Sequence, residues 1–193
     1  MRIILASGSP RRAEVLRYAG IHFEAIAAHV DEAPQPNEPA EELVRRLAEA
    51  KARWAARTAG RDVPAIVVGA DTAVVVDGLV LRKPTSAEDA RAMLRRLSGR
   101  AHSVITALAV IRLPDGAVRA ELETTRVSFA PLTPEEVEDY VASGEHFDKA
   151  GAYAIQGRGG RFVTRVEGCY FNVVGLPLAR LYRILRELGW PAK

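Results

Sequence analysis

Apolar and polar positions change their period several times along the chain, and each change marks an element. Arg2 to Ala6 is an apolar, β-favouring run, followed by Ser7-Gly8-Ser9-Pro10 and then by Val15, Leu16 and Ala19 on one helical face, closed by Gly20. This pattern predicts strand, tight loop, helix. A short strand is expected within residues 22–28, and Asp31-Glu32-Ala33-Pro34-Gln35-Pro36 reads as a surface loop because its prolines forbid regular structure. From Pro39 to Ala59 the residues Leu43, Leu47, Ala50 and Trp54 recur at helical spacing, with Lys51 about 80° off the centre of that stripe. Ala65 to Ala70 is a continuous apolar strand that ends at Asp71-Thr72 and resumes over residues 73–76, before the Asp77-Gly78 hairpin turn and a return strand over 79–81. Ser86 caps a helix that Gly99 ends, with Asp89 in the capping-box position. Long strands over 101–113 and 117–129 flank Pro114-Asp115-Gly116 as a second hairpin. Thr133-Pro134-Glu135-Glu136 opens a helix that ends near Gly144, the glycine-rich stretch 147–175 is strand-prone, and an amphipathic helix starts at Pro177.

Hairpins mixed with helices predict an α/β fold: a mixed, twisted sheet flanked by helices, with two lobes around a substrate cleft. Length and composition agree with a single domain over residues 1–193, since 193 residues at 48% hydrophobic and 26% charged can bury a real core. The formal charge of +3 contains no block of like charge, so a nucleic-acid tail or a polybasic membrane anchor is not expected. Apolar stretches fall short of a bilayer span, and residues 1–7 read as a strand without a cleavage site, so the expected location is the cytoplasm with no membrane partner. The single cysteine, Cys169, excludes an internal disulfide and a thiolate cluster, and reads as a small semi-buried apolar residue.

The cations change this bland picture. There are 23 Arg and four Lys, and Lys51, Lys83 and Lys149 each lie within or beside unusual local sequences. An ammonium is a point charge that follows a phosphate oxygen, whereas a guanidinium is a planar fork that needs a different pocket. Arg11 and Arg12 follow Ser9 and Pro10 at the positive end of a helix, where cations are disfavoured by roughly 0.3–1 kcal/mol each. An anion held by the Ser7 to Ser9 loop, the helix dipole and both guanidiniums explains them; the alternative is that they point to solvent or pair with acids such as Glu14. Neither a Walker A pattern nor a strand-linked G-x-G-x-x-G is present. Asp71 at a strand end could hold Mg²⁺ or orient a water, or could simply cap a turn. The hairpin after it is short enough to return Lys83 near its level. Asp148-Lys149-Ala150-Gly151-Ala152-Tyr153-Ala154-Ile155-Gln156-Gly157 reads as a small-residue strand ending in an amide that can both donate to and accept from a base edge. The histidines at 22, 29, 102 and 146 show no metal-ligand spacing, and G-x-S-x-G is absent.

Leu5-Ala6-Ser7-Gly8-Ser9-Pro10-Arg11-Arg12, Gly69-Ala70-Asp71-Thr72, Lys83-Pro84 and the 148–157 segment together resemble, in order and across the whole chain, the signatures of the Maf family of nucleotide pyrophosphatases. The resemblance implies a Maf/ITPase-like fold and hydrolysis of nucleoside triphosphates to the monophosphate and pyrophosphate with a divalent metal, Mg²⁺ or Mn²⁺. It also implies nucleotide-pool house-cleaning, a link with cell-division arrest, and a homodimer. By resemblance Asp71 is the general base or a metal carboxylate, two descriptions that compete because a metal-bound carboxylate is a poor base. Ser7, Arg12, Lys51 and Lys83 would hold the triphosphate, and Glu32 would assist the metal or water. Arg11, Thr72 and Gln156 match positions that separate substrates, and Gln at 156 resembles the branch acting on dTTP and UTP. The alternatives are a phosphotransferase that releases the terminal phosphate and a nucleotide-binding regulator of septation without essential catalysis.

Overall fold

The computed structural model describes residues 1–60 and 64–191. β1 (Arg2–Leu5) leads into α1 (Pro10–Tyr18), the two-residue β2 (Glu24–Ala25) and the long α2 (Ala40–Ala59). β3 (Ala65–Val76) and β4 (Leu79–Leu81) make the first hairpin, α3 (Ala87–Leu97) follows, and β5 (Ala101–Leu113) and β6 (Val118–Phe129) flank the second turn. α4 (Pro134–Ala142), two 3₁₀ turns at Ala150–Ala152 and Arg158–Phe162, β7 (Val163–Glu167), α5 (Tyr170–Val174) and α6 (Leu178–Glu187) complete the order.

Seven strands form one sheet in the order β2-β1-β3-β5-β6-β7, with β4 on β3. β1 runs parallel to β2 and β3, whereas β4 and β7 run antiparallel to β3 and β6. The sheet is therefore mixed, as expected of chain segments that alternate crossover helices with hairpins. Local chemistry sets most element ends. Asp77 and Gly78 both take positive φ, the combination a tight hairpin turn requires. Ser86 Oγ accepts from the Asp89 N–H at 3.1 Å. At α4, Thr133 and Glu136 exchange side-chain and backbone hydrogen bonds of 3.3 and 2.8 Å, a full capping box. The start of α1 differs: Ser9 occupies the cap position, yet its side chain caps nothing.

Two expectations are corrected. Asp71 does not end a strand, because β3 runs unbroken from residue 65 to 76. Along β3, β1 pairs with residues 65–68 and β4 with 74–76, so residues 69–73 lie in neither of these ladders. The polar pair Asp71-Thr72 thus falls between two pairings within one strand. The segment 148–157 is not a strand either. Asp148, Gly151 and Ala152 take positive φ, and the backbone curls into a 3₁₀ turn, so only residues 163–167 of the glycine-rich stretch become a strand.

The chain divides into two compact units, residues 1–71, 106–123 and 175 onward in the first, 72–105 and 124–174 in the second. In the first, Leu5 of β1, Leu16 of α1, Leu47 of α2, Ile66 of β3 and Leu181 of α6 are fully buried. The second buries a cluster rich in aromatics, in which Phe129 packs against Tyr153 and Phe162 while Tyr140 meets Phe162 edge-on at 5.3 Å.

Candidate active site

In the first unit a glycine lets a helix touch a strand. A Cβ built on Gly69 of β3 would lie 2.8 Å from Ala52 N and 2.9 Å from Ala52 Cβ, and closer still to the Ala48 carbonyl oxygen. The α2 backbone thus rests on β3, made possible by Gly69 on one side and Ala48 and Ala52 on the other. Lys51, one residue before Ala52, extends from this contact and its Nζ lies 2.6 Å from Asp71 Oδ1 and 2.6 Å from Glu32 Oε1. The lysine side chain is 9% exposed and the aspartate 15%, so their pair is shielded, while Glu32 at 40% opens the group to solvent on one side. The position of Lys51 at the edge of the helix's apolar stripe was legible in the spacing. Its partner was not: the amine on Asp71 is Lys51, whereas Lys83 pairs with Asp148 at 3.9 Å on an exposed part of the second unit.

Arg12 is buried at the start of α1. Its Nε donates to the Gly175 carbonyl at 2.8 Å and its Nη1 to Ser7 Oγ at 3.2 Å, while Ser7 Oγ also accepts from the Ser9 N–H. Burial pulls the guanidinium below its ordinary value; the charges of Asp71 and Glu32 oppose this and that of Arg11 adds to it. Ser7, Arg11, Arg12, Glu32, Lys51 and Asp71 therefore form one electrostatic group in the first unit. Two cations at the positive end of a helix, beside a serine loop and two acids, are what a polyanion with a bound cation would meet.

A residue the sequence did not single out fastens the loop that carries Glu32. Arg46 of α2 grips Glu38 with Nε to Oε1 at 2.6 Å and Nη2 to Oε2 at 2.8 Å, and Nη2 also donates to the Ala33 carbonyl at 3.0 Å. The Glu38 carboxyl is held down to about 2, first by this hydrogen bond. With Gln35 N–H on Glu38 Oε2 and Ala33 N–H on Asp31 Oδ1, the proline-bearing loop is tied to the helix that carries Lys51. Oxygen donors from Asp71 and Glu32 meeting one cation could equally hold a divalent ion. Among the described residues no group of three or more His, Cys, Asp or Glu side chains is placed to hold a metal.

Thr72, Lys83 and Gln156 lie in the second unit, Thr72 on β3 and Gln156 exposed on the turn between residues 154 and 159. That turn is organised by Glu145, which sequence reasoning passed over because it sits between helix and turn without any periodic neighbour. His102 is buried in the aromatic cluster with Nε2 2.8 Å from the Tyr153 hydroxyl, and burial drives it down to about 4. It is a core histidine, as the lack of metal-ligand spacing indicated.

The solved structure of a HAM1 protein from Coxiella burnetii superposes with a TM-score of 0.51 at 18% identity, covering 97% of this chain and 99% of that one, and so shares the fold. The Maf-like protein family model matches residues 2–188, and the chain belongs to that family. Among its relatives, the dTTP/UTP pyrophosphatase of Carboxydothermus hydrogenoformans is 48% identical over 98% of this chain and 100% of its own length. The dTTP/UTP pyrophosphatase of Escherichia coli O157:H7 is 50% identical over 97% and 93%. No helix among the described residues is long and apolar enough to cross a membrane.

Proposed function

We propose that the protein is a nucleoside triphosphate pyrophosphatase that hydrolyses dTTP and UTP to the monophosphate and pyrophosphate. The reading rests on Asp71 and Glu32 meeting around Lys51 beside a buried Arg12, in a chain about half identical to named dTTP/UTP pyrophosphatases over nearly its whole length. Water attacks the α-phosphorus, a new P–O bond forms, and the bond from the α-phosphorus to the bridging oxygen breaks, that oxygen leaving with the β-phosphorus as part of pyrophosphate. Asp71 orients the water and takes its proton, while Arg12 and Lys51 counter the charge that builds on the pyrophosphate. Ser7 positions Arg12 through its hydroxyl. Lys83 adds a further cation for the phosphates, Arg11 and Thr72 tune substrate choice, and Gln156 reads the pyrimidine edge by donating and accepting at once.

A divalent cation, Mg²⁺ or Mn²⁺, suits this donor set. Mg²⁺ is usually held by one or two carboxylates with the rest of its shell from water and substrate phosphates; Glu32 would supply one such carboxylate beside the cation it shares with Asp71, which leaves Asp71 to act as the base. When bound it would supply charge neutralisation on the phosphates. The test is a metal-supplemented screen of common and modified nucleoside triphosphates that scores pyrophosphate and orthophosphate separately. Pyrophosphate from dTTP and UTP is expected. Orthophosphate as the product would replace this reading with cleavage of the terminal phosphate.

A further inference from the structure

Around Gln156 the backbone is folded over a single carboxylate. Glu145 Oε1 accepts from the Tyr140 hydroxyl at 2.9 Å and from the Gly159 N–H at 3.1 Å, and its Oε2 accepts from the Arg158 N–H at 2.9 Å. The same Tyr140 oxygen accepts from the Ala154 N–H at 3.3 Å. Both flanks of Gln156 are thus fastened, Ala154 to Tyr140 of α4 and residues 158–159 to Glu145 just beyond the end of that helix. The fit is close: a Cβ on Gly157 would lie 2.5 Å from Glu145 Cδ and 2.6 Å from its Oε1. Tyr140 is fully buried against Phe162, so the anchor is rigid while Gln156 itself stands exposed at the tip.

We propose that Glu145 is a positioning residue for base selection, fixing through Tyr140 and the 158–159 backbone the turn that presents Gln156; this rests on the reading of Gln156 given above. An ionised carboxylate accepts only, and here it accepts from three donors at once. Its carboxyl lies below the ordinary range: burial opposes this, and the backbone bonds from Arg158 and Gly159 and the Tyr140 hydroxyl outweigh it. An amide in its place has one acceptor oxygen and turns an NH₂ toward donors, so at least one of the fastenings must open. A base-reading amide loses discrimination when its backbone can drift, because the wrong base is then no longer left facing an unpaired group.

The experiment measures kcat and KM with UTP, dTTP, CTP and ATP, together with thermal unfolding, for the wild type, Glu145→Gln, Tyr140→Phe, Gln156→Ala and the double variant Glu145→Gln/Gln156→Ala. Glu145→Gln should lower the preference for UTP and dTTP about tenfold, mostly through KM, with Tyr140→Phe moving the same way by less. In the Gln156→Ala background Glu145→Gln should cost no further preference, since both act through one contact. Unchanged preference in Glu145→Gln and Tyr140→Phe, or an equal further loss in the double variant, overturns the assignment. If Glu145→Gln does not fold, Tyr140→Phe, which keeps the ring in the core, decides alone. A wild type indifferent to the base would remove the role of Gln156 and this one with it, whereas a selective wild type with equally selective variants removes only this one.

Discussion

Gly69→Ala is the change that most directly couples the core to the chemistry. The added methyl carbon would lie 2.8 Å from Ala52 N and 2.9 Å from Ala52 Cβ, against an ordinary contact of about 3.4–4 Å, and the nearest obstacles are helix backbone that cannot rotate away. Helix and strand must part, roughly by an ångström, at an overpacking cost of about 2–3 kcal/mol. Ala otherwise improves on Gly inside a strand by about 0.5–1 kcal/mol, so the sign of the result separates the two effects. For a chain of this size the net loss lowers Tm by about 4–8 °C. The same shift carries Lys51 away from Asp71, and a misplacement of that size costs on the order of 100-fold in turnover. Thermal unfolding and steady-state hydrolysis of dTTP measure both. A variant as stable and as fast as the wild type would refute the contact between α2 and β3 as the device that sets the site.

Asp71→Asn should reduce pyrophosphate release by at least about 1,000-fold while nucleotide binding stays measurable by calorimetry, and near-normal turnover would take Asp71 out of the reaction. Arg46→Ala should loosen the 31–38 loop, seen as new sites of limited proteolysis there, and lower kcat/KM about tenfold through Glu32. His102 has a depressed folded-state pKa of about 4, so its contribution to stability is fully present above about pH 6.5 and is lost as pH falls from there toward 4. Urea unfolding at several pH values should show His102→Gln flattening this part of the profile, by about 3 kcal/mol in total.

Much of this arrangement is legible in the sequence because it is local. The caps at Ser86 and Thr133 and the Asp77-Gly78 turn are side-chain or φ preferences of a few adjacent residues, and they sit where composition puts them. Helical spacing brought Lys51 to the margin of an apolar stripe, and there it is. What escaped depends on partners far along the chain. Polarity at Asp71-Thr72 looks like the end of a strand, but β3 has β1 as a partner before it, β4 after it and β5 as a further neighbour in the sheet, and the strand stays whole. The 148–157 segment has small residues that suit a strand, but the donors fixed by Tyr140 and Glu145 draw its end into a turn. Nothing in the sequence around Arg46 announces Ala33 and Glu38 as its partners.

The triad of Lys51, Asp71 and Glu32 means that the protein carries its own counterion where two acids stand together. A triphosphate arriving at the first unit meets two carboxylates of which one is already offset from within, rather than a bare negative pair that would repel it more strongly. The three residues are consequently unequal under inheritance and in engineering: exchanging either acid alone leaves a balanced pair, whereas exchanging Lys51 alone leaves two carboxylates facing each other uncompensated, so a viable replacement of the lysine has to change an acid with it.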